Sequence, residues 1–384
     1  MYDSTLQKVL QLMNETKTTN AFSAKVMNDL KICRTPQNGY RYYQCNAKNC
    51  NKKEYRYNSC RNRHCPNCGA MKKDEWIESR MAELLPVKYF HVVFTLPHEL
   101  NTLVMSNRKT LYSLLLEASW YTLQKFSRDE KYLGATPGVI SVLHTWGQQL
   151  SFHPHVHCIV SGGGVDNGGN WKNAKKSVHQ FLFPTMAMAT VYKARFIKRL
   201  QELKNGKEIQ VSLSENEWCE LIQKVKDKTW VIYAKQPFGG PAQVVEYLGR
   251  YTHKVAISNH RIKKVTTQDV VFDYKDYADG GAKKQMRLNH AEFIRRFEQH
   301  ILPRRFVKIR SYGYVCNRNR HLRITTLLKR MNKPEPPPPV KNDFALRMLS
   351  SFGVDVHLCP NCKKGKLVLL NTVFRGRDHP ATLN

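Results

Sequence analysis

Acidic side chains are scarce in this sequence. Over 384 residues, 30 Asp and Glu stand against 62 Lys and Arg, a formal charge of +32. A compact fold that repels itself so strongly is most easily understood beside a polyanion whose phosphates offset the charge. Long apolar runs are also missing: nothing approaches the ~18 consecutive residues of a membrane-spanning helix. The basic residues are spread along the chain rather than gathered on one amphipathic helix, which argues against an anionic membrane surface as the partner. Nucleic acid is therefore the expected partner, with no membrane. Residues 1–20 lack the apolar stretch of a signal peptide, so a cytoplasmic chain is expected. There is no solenoid-type repeat either. What is present suffices for a core, since hydrophobic residues make up 41% and aromatics 10%, and the length suggests two or three domains.

Along the chain, Leu6, Val9, Leu10, Met13, Phe22, Val26 and Leu30 recur at near-helical spacing, so residues 5–31 read as a helical lead-in. Helices are also expected from Asp74 to Pro86, over 99–127, from Ala242 to Lys254 and over 290–300. Strands are expected at Tyr89–Leu96, Gly138–Gly147, His155–Val160, Trp230–Ala234, Val255–Ser258 and Val270–Tyr274. Residues 165–228 read as a polar insertion, and Pro334–Pro339 as an extended linker. The fold class is α+β: a central antiparallel sheet flanked by helices, with an N-terminal zinc module and a small C-terminal segment. The expected domains are 1–73, 74–260, 261–333, the linker 334–340 and a tail 341–384.

The 11 cysteines are not scattered: six lie between Cys33 and Cys68, and a pair stands at Cys359 and Cys362. In a reducing compartment such clusters read as metal ligands before disulfides. The segment Cys33–Gly69 is poor in aliphatics and needs a metal to fold. Two close-spaced cysteine pairs supply the four soft ligands of a tetrahedral structural Zn²⁺, with Cys45, Cys50, Cys65 and Cys68 preferred and Cys33, Cys60 and His64 in reserve. Cys359 and Cys362 are half a site, to be completed by His357, His379 or a residue from elsewhere. Arg56, Arg61 and Arg63 in the same module suggest contact with phosphate. Cys158, Cys219 and Cys316 stand alone and read as small buried hydrophobes.

His153-Pro154-His155-Val156-His157 lies on an expected strand, where alternate residues share a face, so His155 and His157 point together. Two imidazoles on one face suit a divalent cation. Tyr247 and Tyr251, at i and i+4 of an expected helix, share a face beside Arg250, Thr252, His253 and Lys254. Those neighbours suit a helix that meets a phosphate.

A His-hydrophobic-His strand followed by a Tyr-x3-Tyr helix resembles the two-tyrosine HUH endonucleases. Further segments, in the same order, are similar to the rolling-circle insertion-sequence transposases with an N-terminal zinc-binding domain. These are Tyr57–Pro66, Phe90–Pro97, His144–Gln148, Tyr251–Asn259, His300–Pro303 and Ile309–Gly313. The resemblance covers roughly residues 30 to 365, although Cys45 and Cys50 are spaced by four where the family often shows two. It implies a metal-dependent tyrosine DNA endonuclease and strand transferase of a bacterial, nucleoid-associated kind. Its Mg²⁺ or Mn²⁺ would sit on His155 and His157, Tyr247 and Tyr251 would be the nucleophiles, and single-stranded or hairpin DNA the substrate.

Two imidazoles leave a hard cation undersaturated. If the strands around residue 150 pair with a turn near it, His144 falls opposite His157; a one-residue slip favours Gln148 or Gln149 instead. The expected order is Gln148, then His144. Arg61, Arg63, Arg250 and Lys254 are expected on DNA, and Trp146, Trp171 and Phe152 could stack on bases. A replication initiator or relaxase would share the nuclease residues, and a non-catalytic zinc-dependent DNA-binding regulator would share the charge and cysteines. Monomer and dimer both remain open.

Overall fold

The computed structural model describes residues 5–13, 18–69, 76, 79–80, 83–175, 182–238, 243–244, 249, 256–335 and 343–376. The chain divides into two compact units, Met1–Glu75 with Ile257–Arg295 and Pro339–Asn384, and Trp76–Ala256 with Arg296–Pro338. Against the boundaries expected above, residues 261–295 and the tail thus group with the N-terminal module.

In the first unit, helices α1 (Leu6–Leu12) and α2 (Ala21–Lys31) start where Thr5 and Asn20 accept hydrogen bonds from the backbone of Lys8 and Ser23. They bury Leu6, Val9, Leu10, Val26 and Leu30 as their spacing suggests, and Met27 besides, while Met13 and Phe22 are only half-buried. Strands β1 (Gly39–Cys45) and β2 (Lys53–Tyr57) form an antiparallel hairpin. The free edge of β1 is covered by β12 (Leu367–Phe374), the last strand among the described residues, giving the order β12-β1-β2. A separate antiparallel sheet of β8 (Ile262–Val265), β9 (Asp269–Asp276) and β10 (Ala282–Asn289) follows, with Phe272 packed edge-on against Phe293. The strand expected at Val255–Ser258 is irregular from Ala256 and begins only at Ile262; Val255 lies outside the described residues.

The second unit is built on a six-stranded antiparallel sheet. Its strands β3 (Tyr89–Thr95), β4 (Thr136–Trp146), β5 (Phe152–Val165), β7 (Ile232–Phe238) and β11 (Ile309–Tyr312) run in the order β11-β4-β5-β3-β7, with β6 (Trp171–Asn173) on β5. Alternation along β5 sends Val156, Cys158 and Val160 into the larger core, with Val92, Phe94, Val139 and Leu143 from neighbouring strands. Helices α4 (Arg108–Arg128) and α5 (Thr185–Asn205) cover that face with Leu111, Leu115, Tyr192, Phe196 and Leu200. The opposite face carries Ile140, Val142 and Ile159, buried with Ile324 and Leu328 of α8 (Arg320–Arg330) and with Val244.

Two expectations change. The single helix over 99–127 is broken into α3 (Asn101–Ser106) and α4 at Asn107, whose side-chain amide donates to the carbonyls of Leu103 and Gln210 while its oxygen accepts from the Gln210 N–H. The stretch 165–228 is not a polar excursion: it holds β6, α5 and α6 (Glu215–Asp227), and α6 buries Trp218, Ile222 and Val225 behind a Ser214–Glu217 capping box. Within the helix expected at 74–86, Trp76, Ser79 and Arg80 are helical but residues 83–86 are not; of the one expected at 242–254, Gln243, Val244 and Gly249 are described, all helical. Among the isolated cysteines Cys158 is buried, but Cys219 is exposed on α6. Among the described residues no helix is long and apolar enough to cross a membrane.

Candidate active site and metal centres

The histidine site is set by the β4–β5 hairpin. Its register places His144 opposite His155 and Val142 opposite His157, two residues away from the pairing expected. A shift of two preserves the face, so His144 still joins His155 and His157, and their ring nitrogens lie within 4.8 Å of one another. The turn that fixes this register is tied down from outside the hairpin. Leu150, at φ 58°, is buried, and its carbonyl accepts from His300 Nε2 at 3.1 Å, while Thr145 Oγ1 donates to His300 Nδ1 at 3.2 Å. Burial holds His300 near pKa 4, so it stays neutral and can play both parts.

Each strand histidine has its ring oriented. His155 Nδ1–H donates to the His153 carbonyl at 2.7 Å, which leaves the Nε2 lone pair for a cation. Burial pushes His155 down to about 4, so the lone pair is available at neutral pH. His157 Nδ1 faces His91 Nε2 at 2.9 Å, and the two rings are stacked at 7°. His91 comes from β3, is buried, and is held down to about pKa 3 by desolvation and then by Lys235 and His155. For His157 to ligate through Nε2, its Nδ1 must carry the proton and His91 must accept it. His91 was not singled out by sequence; only its alternation with Val93 on β3, which lies opposite His157, could have marked it.

Gln148, ranked first as third ligand, lies in the turn after β4, and the carbonyl of its neighbour Gln149 accepts from Arg296. Trp146 stacks on His144 at 4.6 Å, Trp171 meets Tyr314 edge-on, and Phe152 lies parallel to His300, so the three aromatics considered as base platforms are engaged within the fold. Tyr247, Arg250, Tyr251 and Lys254 lie outside the described residues. Val244, three residues before Tyr247, is buried with Ile140, Val142 and Ile159 on the face that bears the histidines.

The cysteines form two groups. The preferred set of Cys45, Cys50, Cys65 and Cys68 is divided between them: Cys65 and Cys68 meet Cys33 and Cys60, while Cys45 and Cys50 meet Cys359 and Cys362. Spacing alone had joined pairs that the β1–β2 hairpin sends apart, one pair at its turn and the other after its end. In the first group Sγ–Sγ separations are 3.6 Å for Cys33–Cys68 and Cys60–Cys68 and 3.7 Å for Cys33–Cys65. A tetrahedral ion with Zn–S near 2.3 Å places sulfurs about 3.8 Å apart, whereas a disulfide needs about 2.05 Å. The thiols of Cys60 and Cys65 push Cys33 down to about 7. Arg34 and Arg61 take φ of 56° and 53°, a left-handed step directly after Cys33 and Cys60 that turns the backbone around the sulfurs. His64, among the reserves, is buried but is not one of the four. Arg61 is exposed, desolvation lowers Arg63, and Arg56 is tied to Glu54 and the Val356 carbonyl.

Residues 138–322 match the family model described as "Putative transposase", and residues 5–96 the one described as "Transposase zinc-binding domain". The chain belongs to the rolling-circle insertion-sequence transposases that carry an N-terminal zinc-binding domain. Among its relatives, "Putative transposase y4qJ" of Sinorhizobium fredii is 36% identical over 366 residues, 93% of this chain and 90% of that one. The transposase for insertion sequence element IS801 of Pseudomonas savastanoi pv. phaseolicola is 31% identical over 339 residues, 88% of this chain and 81% of that one. No solved structure matches the chain.

Proposed function

We propose that this transposase nicks and rejoins single-stranded DNA through 5′-phosphotyrosine intermediates on an HUH-type sheet. The observation that carries the reading is the convergence of His144, His155 and His157 on one sheet face, with two of the three rings turned by fixed partners. The three ring nitrogens would fill part of the shell of a divalent cation, Mg²⁺ or Mn²⁺, the remaining positions falling to water and phosphate oxygen. A cation bound there would draw charge from the scissile phosphate and steady the departing 3′ oxygen.

In the cleavage step a bond forms between tyrosine Oη and phosphorus, and the P–O3′ bond breaks. The phenol proton is lost and the 3′ oxygen gains one, leaving a free 3′-OH. The ester conserves the bond energy, so rejoining requires no nucleotide cofactor. Tyr247 and Tyr251 are the nucleophiles in this reading, supported by the burial of Val244 on the histidine face. A phenol of pKa near 10 needs such an activating site at pH 7. Two nucleophiles let two strands be held in turn, as transfer from donor to target requires. Arg61, Arg63, Arg250 and Lys254 would contact the DNA backbone.

The test uses labelled single-stranded oligonucleotides from the element's ends, with Mn²⁺ or EDTA, resolved on a denaturing gel. The expected result is a metal-dependent, SDS-resistant protein–DNA adduct that disappears in the Tyr247→Phe/Tyr251→Phe double variant. Salt-sensitive binding with no adduct on any cognate end would replace this reading with a zinc-dependent DNA-binding protein.

A further inference from the structure

We propose that Cys45, Cys50, Cys359 and Cys362 hold a second structural Zn²⁺, which clasps the tail of the chain to its N-terminal hairpin. The inference is independent of the nuclease reading, since it concerns only the first unit. Cys45 Sγ lies 3.7 Å from Cys362 Sγ and Cys50 Sγ 3.8 Å from Cys359 Sγ, the sulfur spacing of a tetrathiolate zinc and far from that of a disulfide. The four residues come from two knuckles 309 residues apart in sequence.

Both knuckles turn their backbone N–H groups onto sulfur. Gly365 N–H donates to Cys362 Sγ at 3.3 Å and Ala47 N–H to Cys45 Sγ at 3.5 Å. Such donors stabilise thiolates, the form zinc requires. Lys363 takes φ 53° directly after Cys362, repeating the left-handed step that follows Cys33 and Cys60. The knuckles also fit each other. Asn46 N–H donates to the Lys366 carbonyl at 3.0 Å, and Asn46 Oδ1 accepts from Lys366 N–H at 2.8 Å. A Cβ at Gly365 would stand 2.5 Å from Cys45 Sγ and 2.8 Å from Ala47 Cβ, so only glycine allows this approach.

Apart from the β1–β12 ladder and the Arg375–Asp29 ion pair, little apolar burial holds the tail in place. The buried cluster there consists of the cysteines Cys45, Cys50 and Cys359 with Leu367, while Val368, Leu369, Leu370 and Phe374 of β12 are exposed. A cluster that small cannot replace a metal. The matched zinc-binding domain ends at residue 96 and so contains only half of these ligands.

The test is the zinc content of the purified full chain, by native mass spectrometry. The expected values are two zinc ions per wild-type chain, one in Cys359→Ser/Cys362→Ser and one in Cys33→Ser/Cys65→Ser. Gly365→Ala keeps all eight thiols and should weaken only the second site, and Co²⁺ loading should show the remaining tetrathiolate intact in each variant. In a further arm a protease site is placed in the Pro334–Pro339 run. After cleavage the two fragments should comigrate with zinc and separate with a chelator. One zinc per wild-type chain, two in Cys359→Ser/Cys362→Ser, or comigration indifferent to the chelator would each overturn the clasp.

Discussion

The histidine site and the cysteine sites are assembled in opposite ways. His144, His155 and His157 stand on paired strands whose other face is a packed core of Phe94, Val156, Cys158, Tyr192 and Phe196, so their spacing is held by apolar burial whether or not an ion is present. The cysteines stand at the ends of short elements rather than on a packed sheet, and in the group of Cys45, Cys50 and Cys359 the buried apolar partner is Leu367, so the sulfur spacing there depends on what binds it. A site that must exchange substrate and solvent benefits from a frame that does not depend on its ion. A module that only has to keep its shape can let the ion be the frame.

The sharpest break of this contrast is metal removal. Structural zinc is worth on the order of 10 kcal/mol or more to a small module, so chelation should expose the amides of residues 33–69 and 353–376 to hydrogen exchange while β3, β4 and β5 stay protected. Loss of protection in those strands as well would mean that the sheet too depends on zinc.

The next effect should separate ligand from support within the sheet. His91→Phe should weaken Mn²⁺ binding by roughly 10–100-fold, the range seen when the partner of a ligating histidine is removed. His157→Ala should do so more severely, with unchanged far-UV circular dichroism in both. Equal losses would make His91 a ligand rather than a positioning residue.

Acid gives a smaller effect of known sign. His300 titrates near 4 in the fold, because burial disfavours its charged form, and near 6.5 when unfolded. The unfolded chain therefore takes up the proton first. The stability from a neutral His300 is complete above pH 6.5 and falls towards pH 4 by about 1.4 kcal/mol per pH unit. Thermal unfolding of the second unit should show a slope to which buried His91 and His155 add with the same sign, and His300→Gln should remove His300's share of it. The smallest change is expected of the exposed Arg61. Arg61→Ala should lower the salt dependence of single-strand binding by about 0.7 in log–log slope, if it neutralises one phosphate.

How much of this could be read from the sequence follows the range of the interactions involved. The strands expected at Tyr89–Leu96 and Gly138–Gly147 are observed at Tyr89–Thr95 and Thr136–Trp146, because β-branched and aromatic residues suit a strand whose alternate side chains face opposite sides, both buried here. The shared face of His155 and His157 followed from the same rule. Their third companion did not, since the register depends on a turn pinned by His300, 150 residues beyond Leu150. The helices in 165–228 were obscured by charged residues on their outer faces, although Met188, Tyr192, Phe196 and Leu200 keep a four-residue spacing. Cys359 and Cys362 were legible as half a site, but nothing local joined them to Cys45 and Cys50, because cysteine spacing reports only the near half of a site whose other half lies 309 residues away.

The pairing of β1 with β12 also imposes an order in time. A chain emerging from the ribosome presents β1 with one edge open, and Cys45 and Cys50 without their partners, until the segment from Cys359 to Phe374 has been made. Every residue of the sheet unit is translated before that point. A chain cut short before Cys359 therefore has the histidines and the first cysteine group but neither β12 nor the partners of Cys45 and Cys50.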